Sequence, residues 1–94
     1  MIKDAEIAMV HAANYALEYQ DKKYNADVEE IIKQFLKKFS LDIKSGLKIY
    51  SVAAINEIIK MKLKNKGKSN KQLIQMFVNN IQNFSKKIEE ENSN

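Results

Sequence analysis

Six lysines crowd one short stretch: Lys60, Lys62, Lys64, Lys66, Lys68 and Lys71. Ammonium groups at that density can hold phosphates or other anions as point charges. With Lys44 and Lys48 they make eight cations in a region that has almost no balancing acid. All sixteen basic residues are Lys and none is Arg. The planar fork that reads guanine edges in two parallel bonds is therefore missing. On a helix, Lys60, Lys62 and Lys64 spread around much of the circumference, which does not suit a groove. Together with Lys44 and Lys48 they are expected to make one end of the molecule positive, and that end is expected to meet a partner. The plainer reading is a solvated lysine face.

The other reactive side chains offer less. His11 is the sole imidazole, with no Ser or metal-ligand spacing near it in sequence. Glu29 and Glu30 are adjacent carboxylates, but acids at the start of a helix answer its dipole and need no catalytic role. There is no Cys, so thiolate catalysis, disulfides and Cys-based zinc sites are excluded. The two glycines, Gly46 and Gly67, are isolated and form no phosphate loop. Met9, Met61 and Met76 read as core filler. The expectation is a binding protein, not an enzyme, with no metal, no cofactor and no small-molecule substrate.

The chain of 94 residues is one domain long, with 45% hydrophobic and 30% charged residues. That balance suits an ordered globule. No Pro and two Gly argue against turn-dense all-β folds. The net charge of +4 is unevenly placed. Residues 1–40 sum to −1, residues 41–88 to +8, and Glu89, Glu90 and Glu91 contribute −3. Asp4, Glu6, His11 and Asn14 interrupt any apolar leader, and no apolar run approaches the roughly 20 residues that span a bilayer. A cytoplasmic protein is the expectation.

Hydrophobic periodicity predicts four helices. Ala5, Ala8, Met9, Ala12, Tyr15, Ala16 and Tyr19 form the first stripe, and its alanines invite close approach by a neighbour. Ile7, Val10 and Leu17 add a second apolar side. Val28, Ile31, Ile32, Phe35, Leu36 and Phe39 form the second stripe, with Asp27 and Glu30 spaced as a capping-box-like start. The third runs through Ile43, Leu47, Tyr50, Ala54, Ile58 and Met61, widened by Ile55, Ile59 and Leu63. Leu47 to Ser51 also fits a short strand, but the helical pattern continues unbroken through it. Gly67 ends that helix. Ser69-x-x-Gln72 is a capping box. Leu73, Ile74, Phe77, Val78, Ile81, Phe84 and Ile88 then make the fourth stripe, and residues 89–94 read as a frayed tail. Connections fall near residues 22–25, 40–42 and 66–68. An all-α, antiparallel four-helix bundle over residues 1–94 buries every stripe. Val28, Ile32, Phe35, Leu73, Phe77 and Ile81 are its predicted core.

Two resemblances follow from these residues. The second-helix pattern Val28, Ile31, Ile32, Phe35, Phe39, the segment Ile49-Tyr50-Ser51, the length and the four-helix layout resemble the small immunity proteins that protect Gram-positive bacteria from their own pediocin-like bacteriocins. That resemblance covers nearly the whole chain. It implies a non-enzymatic protein that engages a bacteriocin-bound membrane receptor from the cytoplasmic side. The short acidic tail differs from that family's longer aromatic-containing tails. Residues 47–84 also resemble a ribbon-helix-helix DNA-binding unit. That likeness implies a homodimer with Lys48 and Tyr50 read into the major groove from a strand. It also implies a phosphate at the helix start around Ser69. Lys62 departs from that family's apolar core, and residues 1–40 have no role in it.

Overall fold

A computed structural model describes residues 2–39 and 43–91. They form five α-helices and no strand: α1 (Ile2–Lys22), α2 (Val28–Phe39), α3 (Lys48–Lys64), α4 (Asn70–Asn79) and α5 (Ile81–Glu91). A short 3₁₀ turn, Ser45–Leu47, leads into α3. The molecule measures 36 × 28 × 20 Å. The long axis follows the helices, since 21 residues of α1 span about 30 Å.

The expected four helices become five because the fourth divides. Asn79 and Asn80 meet where the polypeptide would need to continue α4. The Asn80 N–H turns to the carbonyls of Phe77 and Val78, and the Asn83 amide donates to Asn80 Oδ1 at 3.2 Å. Asn is a weak helix former, so two in succession favour an interruption here. The apolar stripe nevertheless continues across the break, through Phe77, Ile81 and Ile88, all buried.

α1 and α3 lie side by side and run in the same direction. Residues Asp4 to His11 of α1 share a groove with Ile43, Lys44 and Leu47, which precede α3. At the other end, the Asn70 amide, just past α3, donates to Asp21 Oδ2 at 2.7 Å. Ala5, Ala12, Ala13 and Ala16 of α1 are buried, as are Ser51 and Ala54 of α3. These small residues let the pair approach closely, and it is the most extensive helix contact of the molecule. α2 runs back along α1, its start at Tyr19 and its end at His11. α4 runs back on the other side, from Asp21 to Ile7 and Val10, and α5 packs on α1, α3 and α4. Among the described residues α2 packs on α1 and α3 and on neither α4 nor α5. The cross-section is therefore a diamond whose short diagonal is α1–α3.

The core holds Met9, Leu17, Ile31, Phe35, Ile55, Ile58, Leu73, Phe77 and Ile81. Of the six predicted core residues, Val28 and Ile32 are corrected to half-buried positions at its margin. They sit on the flank of α2's stripe, where Ile31 and Phe35 take the centre. α2 starts and stops as its charges predict, with Glu29 and Glu30 in the first turn and Lys37 and Lys38 in the last. Asp27 Oδ1 accepts the Glu30 N–H at 2.9 Å. The reciprocal half of a capping box is missing, because Glu30 instead accepts from the Tyr19 hydroxyl and Lys23 Nζ, each at 2.7 Å.

α3 begins at Lys48, not at Ile43, with the 3₁₀ turn taking the place of its expected first turn. Residues 48–51 are helical, so the extended alternative for Leu47 to Ser51 is not the conformation found. The predicted connection at residues 40–42 lies outside the described residues. The predicted tail starts later than expected: α5 carries the helix through Glu91, and residues 92–94 lie outside the description.

Candidate interaction surface

The turn between α3 and α4 is built by three local devices. Asn65 closes α3, its N–H and its side-chain amide both donating to the Met61 carbonyl, at 2.9 and 2.8 Å. The Lys68 N–H then donates to the Asn65 carbonyl at 3.1 Å, closing a four-residue turn. Gly67, its third residue, has φ +97°. A left-handed third residue is the mark of a type II turn and is why glycine stands there. Ser69 then caps α4: its Oγ accepts the Gln72 N–H at 3.1 Å, and Gln72 Oε1 accepts the Ser69 N–H at 2.8 Å. This is the capping box its spacing predicts.

That rigid turn displays the lysines. Lys60, Lys64, Lys66, Lys68 and Lys71 are exposed and Lys62 is half-buried. Among the described residues none of the six forms an ion pair. No acid occurs between Glu57 and Glu89. Leu63 lies among them and is 66% exposed. It continues the ridge Ile55, Ile59, Leu63, whose first two members are buried. The ridge runs past the helices that cover it. Tyr24, in the α1–α2 connection at this same end, is 89% exposed.

Lys44 and Lys48 stand elsewhere, which corrects the expectation of a single positive end. Lys48 opens α3 and Lys64 closes it. Sixteen residues of helix separate them by about 24 Å. Lys44 is exposed beside the groove near His11, and Lys48 is half-buried. The lysines thus divide into a dense group at the α3–α4 turn and a sparse pair at the opposite end. Of the residues assigned to DNA reading, Tyr50 packs half-buried against the core. Ser69 spends its hydroxyl on the α4 cap.

A second surface was not anticipated. Ile7 is 60% exposed. With Val10, Val78 and Ile81 it lines an open, mostly apolar groove of about 500 Å³, edged by Glu6 and His11. The His11 ring stands edge-on to Phe39, 4.6 Å between centroids, and tilted against Phe35 at 5.6 Å. The signal was the second apolar side of α1. Of that side, Leu17 is buried, Val10 is half-buried and Ile7 is exposed.

Compared with known proteins, the chain matches no family model, no curated protein and no solved structure. Among the described residues no helix is long and apolar enough to cross a membrane. Among the described residues no group of three or more His, Asp or Glu side chains is placed to hold a metal ion.

Proposed function

We propose that this protein is a non-enzymatic binding protein that presents the α3–α4 turn to its partner, in the manner implied by its resemblance to bacteriocin immunity proteins. The partner is then a membrane receptor complex approached from the cytoplasmic side. One observation carries the reading: lysines with no ion pair among the described residues and the uncovered Leu63, in the last turn of α3, flank a turn held by a capping box and a left-handed glycine. Folding alone does not need this arrangement. Exposed lysines add little to stability, and an exposed leucine adds nothing. A rigid, cationic surface with an apolar centre suits recognition, because its shape is fixed before the partner arrives.

The test is expression inside cells sensitive to a pediocin-like bacteriocin. Survival above that of cells carrying an empty vector is expected, and it should fall with Lys64→Glu combined with Lys66→Glu. Sensitivity unchanged by expression, across a panel of such bacteriocins, overturns the proposal. The DNA-binding alternative shares the exposed lysines but needs Leu47 to Tyr50 as a strand, and they are helical.

A further inference from the structure

The end of the molecule that carries Leu63 also carries Tyr24, and the two differ from the other apolar side chains there. Tyr24 is 89% and Leu63 66% exposed. They project from the α1–α2 connection and the last turn of α3, at the end where the Asn70–Asp21 hydrogen bond ties the start of α4 to the last turn of α1. Around them stand Lys60, Lys64, Lys66, Lys68 and Lys71, all exposed. Three of the acids at this end are engaged locally, while Glu18 and Glu29 are exposed on the α1 and α2 side. Asp21 accepts from Asn70, Asp27 caps α2, and Glu30 is held by Tyr19 and Lys23.

From this juxtaposition we infer that the α3–α4 end binds the anionic surface of a lipid bilayer directly, with Leu63 and Tyr24 entering the headgroup region and the lysines meeting lipid phosphates. The inference deepens the proposed function and rests on it for the choice of the cytoplasmic leaflet. Three features favour lipid over nucleic acid. Duplex phosphates offer nothing for an exposed leucine to bury against, whereas a bilayer does. A tyrosine with an apolar ring and a polar tip suits the membrane interface. Lysine extends an apolar stem toward the acyl boundary while its ammonium stays at the phosphates. The face available is about 28 × 20 Å at most, wide enough for several lipid headgroups at once. Such contact is peripheral and reversible. Each lysine near an anionic leaflet is worth roughly five-fold in partition.

The full chain is mixed with vesicles of phosphatidylcholine alone and of phosphatidylcholine with about one third phosphatidylglycerol. Bound protein is then measured by flotation in 0.1 M salt. Binding to the anionic vesicles and not to the neutral ones is expected. Lys64→Glu with Lys66→Glu should lower partition at least 25-fold, following the figure per lysine. Leu63→Ser with Tyr24→Ser should lower it several-fold at unchanged charge. All four positions are exposed, and circular dichroism checks that each variant remains helical. No binding to anionic vesicles, equal binding to neutral ones, or a partition that either folded double variant leaves unchanged overturns the inference. So does release from the vesicles by duplex DNA at equal phosphate concentration. Since the vesicles contain no protein receptor, the two proposals fail separately. Cell protection without vesicle binding overturns only the membrane contact, and vesicle binding without protection overturns only the immunity-like role.

Discussion

The α1–α2 face and the α3–α4 turn spend their side chains in opposite ways. On the first, His11, Tyr15, Phe35 and Phe39 stack with centroids 4.6–5.7 Å apart. Tyr19, Lys23 and Glu30 form a closed polar group beside them. On the second, the lysines have no ion-pair partner among the described residues and Leu63 is uncovered. The contrast teaches where stability and recognition reside. The aromatic face holds the fold together, whereas the turn, fixed locally by its hydrogen bonds and Gly67, leaves its lysines and Leu63 to solvent, the surface that the proposed function assigns to a partner.

Phe35→Ala is the strongest way to break the comparison. Phe35 is fully buried and meets three aromatic neighbours. Its loss should cost about 3–5 kcal/mol, enough to nearly unfold so small a domain. A melting curve unchanged by this substitution would falsify the assignment of the aromatic face to the core. Gly67→Ala comes next. Nothing stands within 4 Å of an added Cβ, so the cost is that of the left-handed backbone alone, about 1–2 kcal/mol. Ser69→Ala removes one half of the capping box and should cost about 1 kcal/mol. Chemical denaturation reads both, and equal stability of all three proteins would remove the claim that the turn is locally fixed.

Two smaller effects sharpen the contrast. The Lys23 ammonium and the Tyr19 hydroxyl, both bonded to Glu30, hold its carboxyl below the usual carboxylate range. The same carboxylate raises the Tyr19 and Lys23 values. A lowered acid stabilises above its unfolded pKa and loses that contribution as pH falls through the lowered value. The raised Lys23 and Tyr19 contribute below their unfolded values and lose that as pH rises through the raised ones. The melting difference between wild type and Glu30→Gln should therefore be present at neutral pH and close in acid. A difference independent of pH contradicts this triad. Finally, Ser85 is buried, and its hydroxyl has no hydrogen-bond partner among the described residues. An unsatisfied buried hydroxyl costs stability, so Ser85→Ala should raise the melting temperature by a few degrees. A lower one would mean the hydroxyl has a bonded role.

Much of this was legible in the sequence because it depends on local rules. The α2 boundaries follow from one unbroken stripe and matched end charges. The α3–α4 turn follows from Gly67 and the Ser69–Gln72 spacing. What periodicity hid was anything that leaves the apolar stripe intact. The break at Asn80 keeps Phe77, Ile81 and Ile88 in phase, so two helices read as one. The position of Lys44 and Lys48 was missed because sequence adjacency to the lysine run ignores the length of α3 between them. Exposure of Ile7 and Leu63 depends on where neighbouring helices stop, and a single helix's pattern does not carry that information.

The most direct test joins the two regions in one protein. The double variant Lys64→Glu, Lys66→Glu changes only exposed side chains, so its stability should stay within about 0.5 kcal/mol of wild type. Thermal melting and survival of bacteriocin-challenged cells are measured on that same variant. An unchanged melt with protection lost is the expected result. A folded variant that protects cells as well as wild type contradicts it and leaves the lysines as a solvated surface.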